Sequence, residues 1–475
     1  MSKKIVIEVP EELRALGEAM QAMVDRVVGV NRASVGGRAV DYAPVEEDMG
    51  RLARAVERGA HKAILEGLDV DGPRVVIDGK PHARVERGPG PYYTLAGEVS
   101  VVRSLYREVG VRNGKTVDAV GLRAGAVGDG WLPRTASVMA YLVSQSTSRE
   151  AEGAAKKMGR AEYSRSAFED MVHLMGRHFV PQHKDIEEQL ISSFPVSAEA
   201  RSVSAALDRV SLPMEEPRPR PVGRPRKGAA KRPVARNFRM AWCGTVTLHD
   251  SEGKSLHTIR YGLMPHGDPV ELVTSLAGDV AKVLEQRPDL RVAALAEGAH
   301  DLWKLLEAWL SEVVLGVKVH YLVDLWHLLE KLGKAARVLH GKDGADVVHR
   351  RWRLALLNNG NAARDLALEL LRSGQRHVRV DGARPVHEAI RYLLNHRHRM
   401  NYALARRDGL PVGSGNVEAT CKSLVETRMK RAGSRWKEET GDHVLQLRAI
   451  NLSDRWDEAI ALTLYPLRKA VRAVR

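Results

Sequence analysis

Near the N-terminus, apolar residues recur at intervals of three and four. Leu13, Leu16, Met20, Met23 and Val27 form one stripe over residues 10–29, which predicts an amphipathic helix. Two heptads of such a stripe suit ordinary helix packing better than a coiled-coil seam. Residues 51–68 predict a second helix. At Gly72 the period changes. RVVIDG (74–79) and PYYTLAGEVSVVRSLYREV (91–109) are rich in β-branched and aromatic residues, with glycines between them, and predict a small sheet. Helical spacing returns over 131–200.

EEPRPRPVGRPRKGAAKRPVAR (215–236) interrupts the pattern. Its prolines exclude a regular helix or a central strand, so it reads as a basic loop between ordered pieces. RSVSAALDRVSLPM (201–214) before it predicts a strand ending near Asp208. NFRMAWCGTVTLHD (237–250) and SLHTIRYGLM (255–264) predict two more, joined by the turn SEGK. A helix follows over 268–286, then a short apolar strand LRVAALAE (290–297), a helix HDLWKLLEAWLSEV (300–313) and a fifth strand VKVHYLVD (317–324). Residues 325–405 are helical throughout. GLPVGSGNVEATCKSLVETRMKRAGSRW (409–436) then leads through a proline turn and two glycines into a helix starting near Asn416. Strands alternating with helices predict a mixed α/β sheet with helices on its faces. No internal repeat is present at periods of about 20 to 50 residues.

Charge narrows the partners. Lys and Arg number 74 and Asp and Glu 59, a formal net charge of +15. This favours an anionic partner, nucleic acid before membrane surface. A hydrophobic fraction of 44% supports packed cores and excludes wholesale disorder. Two cysteines, Cys243 and Cys421, are too few for a disulfide framework or a Cys-rich zinc site, and fit a reducing compartment. The N-terminus lacks a signal-peptide pattern, and no apolar run approaches the roughly 20 residues that span a bilayer. The expectation is a soluble, cytoplasmic protein associated with the nucleoid.

Ligands of open α/β sheets bind at the carboxyl ends of strands. Asp208 and Glu297 stand at such ends, and Glu418 opens the late helix. Three carboxylates on one sheet edge suit two Mg²⁺ ions about 3.5–4 Å apart, with Mn²⁺ as a substitute, the arrangement that serves both oxygens of a phosphoryl transfer. Most charges after Glu418 are basic, Lys422 and Arg428 among them, and suit a DNA backbone beside the metal. Asp78, in RVVIDGK, is a competing first acid.

The chain resembles bacterial insertion-sequence transposases with a DDE catalytic core on an RNase H-like fold, most closely the ISKra type. The residues that carry the likeness are GLPVGSGNVEATCKSLVETRMKRAGSRWK, HVLQLRAINLSDRWD (443–457), LVDLWHLLEKL (322–332), EGAHDLWKLL (297–306) and LDRVSLPMEEP (207–217). It extends over roughly 70–460 and is strongest from 201 onward. It implies Asp208 as first acid, Glu418 as last, and Asp324 with His327 as an accessory D-x-x-H pair like those of transposases with a helical insertion. It implies metal-dependent cleavage at element ends, attack of the freed 3′-OH on target DNA, and a homodimer or larger assembly on DNA. One departure stands out. Where the family pattern is DGAPELW, this chain has EGAHDLW, so Glu297 replaces the expected Asp and Asp301 the expected Glu. Glu carries one more methylene, and catalytic constellations tolerate roughly 0.5 Å of misplacement. A catalytically impaired, DNA-binding descendant is therefore the alternative reading; a nuclease of the same fold that hydrolyses without joining is another.

Two further stretches predict DNA contacts. PVGRPRKG (221–228) resembles an AT-hook core, with Arg224, Arg226 and Lys227 suited to a narrow minor groove; a solvated linker is the other reading. Residues 146–179 fit a helix-turn-helix, with a first helix over about 149–158, a turn at Gly159 and a second helix presenting Arg165; two packed helices are the plainer reading. Trp436 and Trp456 suit packing better than base stacking. The expected organisation is a helical region over 1–70, a β-rich segment over 71–130, a helical DNA-binding region over 131–200, an RNase H-like core over 201–430 with an insertion at 325–405, and a basic helical tail over 431–475.

Overall fold

A computed structural model describes residues 6–35, 37, 39–216 and 236–474. Arg224, Arg226 and Lys227 lie outside the described residues. The chain divides into two compact units, Met1–Gln182 with Ile460–Arg475, and His183–Ala459. Among the described residues no helix is long and apolar enough to cross a membrane.

In the first unit, α1 (Arg14–Ala33) packs along α2 (Ala43–Glu66). Strands β1 (Arg74–Ile77), β2 (Lys80–Thr94), β3 (Gly97–Glu108) and β4 (Thr116–Asp118) follow as an antiparallel meander. The last strand of the chain, Val471–Ala473, adds to its edge against β1. Asp78 and Gly79 join β1 to β2 with φ of 52° and 79°, as a two-residue hairpin turn requires. Asp78 is thus a turn residue, ion-paired with Lys469, and belongs to a different unit from Asp208. After α3 (Ala119–Ala124) come α4 (Pro133–Gln145), α5 (Ser148–Met158) and α6 (Arg165–Phe179). A capping box between Thr147 and Glu150 starts α5, left-handed Gly159 ends it, and the Ser164 side chain caps α6. These are the two helices and the turn that the sequence predicts. Arg165 is exposed on the first turn of α6, its Nε 3.3 Å from Ser148 Oγ.

The second unit opens with α7 (His183–Ser193) and is built on β5 (Ser202–Glu215), β6 (Arg236–His249), β7 (Ser255–Leu263), β8 (Arg291–Ala296) and β9 (Val319–Val323). Their order across the sheet is β7-β6-β5-β8-β9. The first three pair antiparallel; β5, β8 and β9 pair parallel. RVAALA in β8 is buried after its first residue, as expected of a parallel strand covered on both faces. α8 (Pro269–Gln286) packs on β5, β6 and β7, and α9 (His300–Trp309) on β5 and β8. The short α10 (Glu312–Leu315) precedes β9. The helical stretch after β9 is α11 (Leu325–Asn358), α12 (Ala362–Arg372), α13 (Pro385–His396) and α14 (Tyr402–Arg407). The late segment is α15 (Gly415–Thr420), a π-helical turn at Cys421–Glu426 and α16 (Thr427–Met429). The predicted order of elements is therefore present. Residues 431–475, however, do not form one basic tail. α17 (Glu438–Leu452) carries buried Val444, Leu445, Leu447 and Ile450 and packs on β7, whereas residues 460–475 belong to the first unit.

Behind the sheet, Glu187 of α7 and Asp279 of α8 are buried near Arg455, and Tyr261 donates a hydrogen bond to Asp279. Burial, with the Asp279 charge, pushes Glu187 up to about 8. Burial pushes Asp279 up to about 6 against the opposing effects of Tyr261 and Arg455. Both acids bind protons more tightly folded than unfolded. Their contribution to stability is complete below the ordinary values of 4.5 and 3.8, and is lost as pH rises through about 6 and then about 8. Thermal melts are expected to show this unit weakening between about pH 5 and 9, with Glu187→Gln removing much of the slope. The Glu187 part is on the order of 4 kcal/mol. A wild-type slope unchanged in the variant would refute the assignment.

Candidate active site

Leu207 of β5, Ala296 of β8 and Val323 of β9 form the last rung of parallel pairing across the sheet. The next residue of each chain segment is an acid: Asp208, Glu297 and Asp324. β5 itself does not end near Asp208. It continues to Glu215, paired with β6, and what stops at Asp208 is its parallel neighbour. Parallel pairing thus ends at the three acids, at the carboxyl ends of β8 and β9.

Several contacts fix the turn after β8. The Glu297 carbonyl accepts from Trp303 Nε1 at 2.8 Å, and Trp303 is itself buried beneath the Arg399 guanidinium, 4.4 Å from the ring centroid. Gly298 follows because nothing larger fits: a Cβ there would come within 2.5 Å of Tyr392 Cε2 and 3.1 Å of His396 Nε2. α13 of the insertion therefore lies directly on the Glu297 turn.

Asp208 is half-buried. Its Oδ1 accepts from the Arg209 N–H at 2.7 Å, and its Oδ2 from Cys421 Sγ at 3.7 Å. Burial pushes its carboxyl above the ordinary range; the Arg209 N–H opposes this and the Glu297 charge adds to it. Cys243 stands opposite Asp208 in β6. The contact with Cys243, then burial, holds the Cys421 thiol protonated. Both cysteines of the chain thus meet at the first acid, a role that sequence reading missed because their separation in the chain carries no motif.

Asp324 is 2% exposed and makes the start of α11. Its Oδ1 accepts from the His327 N–H at 2.8 Å, and its Oδ2 from the Ser414 hydroxyl at 2.7 Å and from the Ser414 N–H. Burial alone would raise its pKa, but the hydrogen bonds from His327 and Ser414 hold it down to about 2. Leu325 N–H also donates to the Val412 carbonyl at 3.1 Å. The glycine-serine-glycine turn is therefore docked on the head of α11 by the accessory acid. His327 Nδ1 lies 3.3 Å from Asp324 Oδ1. Asp324 raises the His327 pKa against the effect of burial, and the charges of Glu297 and Asp208 raise it further.

Glu418 is exposed on α15, which packs against β5 and β6. Cys421, which touches Asp208, is three residues on, roughly 4.5 Å along the axis and on the same face. The π-helical turn then widens the helix. Thr427 Oγ1 reaches back to the Lys422 carbonyl at 2.9 Å, and Arg448 Nε donates to the Ser423 carbonyl at 2.9 Å. Such turns frequently mark functional sites. Lys422 is exposed there. Arg428, expected to contact phosphate, is instead 7% exposed, with its guanidinium 5.2 Å over the Trp436 ring, and is packed into the fold. Trp436 donates its Nε1 to the Met429 carbonyl at 2.8 Å, and Trp456 is 8% exposed, so both are packing residues.

Asp301, the other acid of EGAHDLW, is gripped by Arg209 through its two terminal guanidinium nitrogens, Nη1 and Nη2, which leaves Glu297 as the acid of this strand end. The residue types suit Mg²⁺, a hard cation bound through one or two carboxylates and waters. Asp208 and Glu297 are two such carboxylates in each other's field. Among the described residues no three His, Cys, Asp or Glu side chains stand grouped to hold a metal ion.

No family model matches this sequence, and no curated protein matches it. Among solved structures, a Drosophila P element transposase strand transfer complex matches at 13% identity and a TM-score of 0.36, over 67% of this chain and 92% of that chain.

Proposed function

We propose that this chain is a DDE-type DNA transposase that cleaves insertion-sequence ends and transfers the freed strand to target DNA. The observation that carries this reading is the rung of acids. Asp208 and Glu297 lie side by side where parallel pairing ends, on a sheet of order β7-β6-β5-β8-β9. That order, three antiparallel strands followed by two parallel additions, supports an RNase H-like core. A helical insertion lying on the Glu297 turn and an anchored glycine-serine-glycine turn support it further.

Asp208, Glu297 and Glu418 would hold two Mg²⁺, which when bound supply an activated water and stabilise charge on the phosphoryl oxygens. The chain's own residues do the positioning. Asp324 fixes where α15 enters, and Trp303 fixes the Glu297 backbone. His327 stands beside the acids, whose charges, Asp324 first, make it hold a proton more readily. Lys422, exposed one position beyond Cys421, suits a backbone phosphate. The basic segment with Arg224, Arg226 and Lys227, and Arg165 on α6, would add further DNA contacts. Pairing two element ends calls for two copies of the chain on DNA.

A catalytically impaired, DNA-binding descendant is the second reading. The observations favouring it are Glu297 where Asp is expected and the absence, among the described residues, of three metal-ligating side chains grouped together. Cleavage of a DNA fragment carrying the element's own end, in Mg²⁺ or Mn²⁺, separates the two. For an active enzyme, wild type cuts and Glu418→Ala does not. If wild type is silent and Glu297→Asp cuts, the site is right and this copy has lost activity. Silence from both with DNA binding intact leaves the DNA-binding descendant.

A further inference from the structure

The helical insertion carries a groove that the acid site does not use. α11 is not one rod. Gly341, with φ 68° and ψ −176°, breaks it, and the two halves fold against each other, so that His349 Nε2 lies 2.9 Å from the Leu329 carbonyl oxygen. In an unbroken helix these residues would stand about 30 Å apart. The facing sides enclose about 730 Å³. Trp326, Lys334 and Arg337 line it from the first half, and Arg350 and Arg353 from the second. Spacings of three, four and their multiples keep each set on one face. The acids of the lining are Glu330 and Asp346, and Glu330 is already paired with Lys334 at 2.7 Å. Arg337, Arg350 and Arg353 are exposed, and none has an acidic partner among the described residues.

One wall is aromatic and faces solvent. Trp326 is 55% exposed, and the Arg353 guanidinium lies 5.3 Å from its ring centroid. The same indole packs on the glycine-serine-glycine turn: a Cβ on Gly413 would come within 2.9 Å of Trp326 Cδ1. Gly413 precedes Ser414, which is bonded to Asp324. The groove therefore opens beside the acid edge. Exposing a tryptophan this large, held in place by an arginine and a tight glycine contact, leaves a flat π-face for a ligand. Guanidinium groups along the same groove outnumber its two acids and are ion-paired with neither, and they suit a chain of phosphates.

We propose that this groove holds a single-stranded stretch of DNA leading to the acid edge, with its phosphates on Arg337, Arg350 and Arg353 and an unpaired base stacked on Trp326. The inference rests on the DNA-processing reading of the chain and adds to it a strand-handling site and a preference for unpaired bases. Stacking needs a base freed from its pair, whereas the arginines act on any backbone, so the two parts are separable.

The test is fluorescence anisotropy of the full-length chain with a labelled single strand, the matching duplex, and that duplex with a 3′ overhang, each titrated with salt. Arg350→Glu/Arg353→Glu is expected to weaken single-strand binding about tenfold or more at roughly 0.1 M salt and to reduce the salt slope by about 1.4. Trp326→Ala is expected to lose most of the preference for unpaired over paired ends, roughly tenfold, and Trp326→Phe to retain it. A 2-aminopurine at the unpaired end should be quenched by wild type and not by Trp326→Ala. All replaced side chains are exposed, and melts confirm the fold; Arg350→Gln/Arg353→Gln serves if the reversal fails to fold. Wild-type single-strand affinity and salt slope in the folded variants would overturn the groove while leaving the transposase reading intact. Absence of DNA binding by wild type would overturn both.

Discussion

Asp208→Asn is expected to abolish DNA cleavage while leaving the fold as stable as wild type, or more so. The two effects have one cause. Asp208 is half-buried, lies in the field of the neighbouring Glu297 carboxylate, and among the described residues accepts the Arg209 N–H and a long contact from the Cys421 thiol. A carboxylate so placed is costly to ionise. The neutral amide has the same shape and can keep the Arg209 hydrogen bond, so the fold loses little and sheds a like-charge repulsion, worth roughly 0.5–2 kcal/mol. Cleavage falls on the order of 10³-fold or more, because a neutral amide is a poor ligand for a hard cation. Paired measurements decide the point: cleavage of the end-containing fragment, and thermal or urea melts of the same preparations. Loss of both activity and stability would make Asp208 a structural residue, and full activity in the Asn variant would remove it from the site.

Much of the second unit was legible because its strands differ in kind. RVAALA is a continuous apolar run after its first residue, and such a run announces a parallel strand; VKVHYLVD is apolar without interruption only from Tyr321 to Val323, just before the acid. The long strands on either side of the basic loop alternate and announce antiparallel ones. Glu297 could be named because an acid directly after an apolar run sits at a strand end whenever the run is a strand; the same rule picked out Asp208, although β5 runs on past it and only its parallel partner stops there. What the pattern could not give was pairing. That Leu207, Ala296 and Val323 share a rung depends on long-range register, which no local window contains. The extension of β5 to Glu215 was missed because Pro213, near its end, reads locally as a stop. Arg428 looked like a phosphate contact because its neighbours Lys430 and Arg431 are basic; a helix turns each residue to a different face, and its own face is the one covered by Trp436. The hairpin in α11 was hidden for a related reason. GKDG at 341–344 is a turn signal, but helical spacing on both sides of it reads as one helix.

Asp324→Ala is expected to cost more than any other single change at this end of the sheet, in stability and in activity together. Its carboxylate is buried and closes three donors: the His327 N–H at the head of α11, and the N–H and hydroxyl of Ser414. Removing it leaves buried donors without acceptors and removes a helix cap, a loss of roughly 3 kcal/mol or more. It also frees the turn that sets where α15 begins, and with it the approach of Cys421 to Asp208. Ser414→Ala keeps the cap and should lose only about 1 kcal/mol. Asp324→Asn falls between the two, because one amide oxygen can cap His327 but the amide nitrogen cannot accept from Ser414. The charge leaves a further signature. With a folded value near 2, below its ordinary 3.8, Asp324 contributes stability that is complete above about pH 4 and is lost as pH falls through about 2. Acid titration of unfolding should show this component in wild type and lack it in Asp324→Asn. Equal acid sensitivity in the two, or a fully active Asp324→Ala, would mean that the glycine-serine-glycine turn is held by other contacts and that α15 finds its place without the acid.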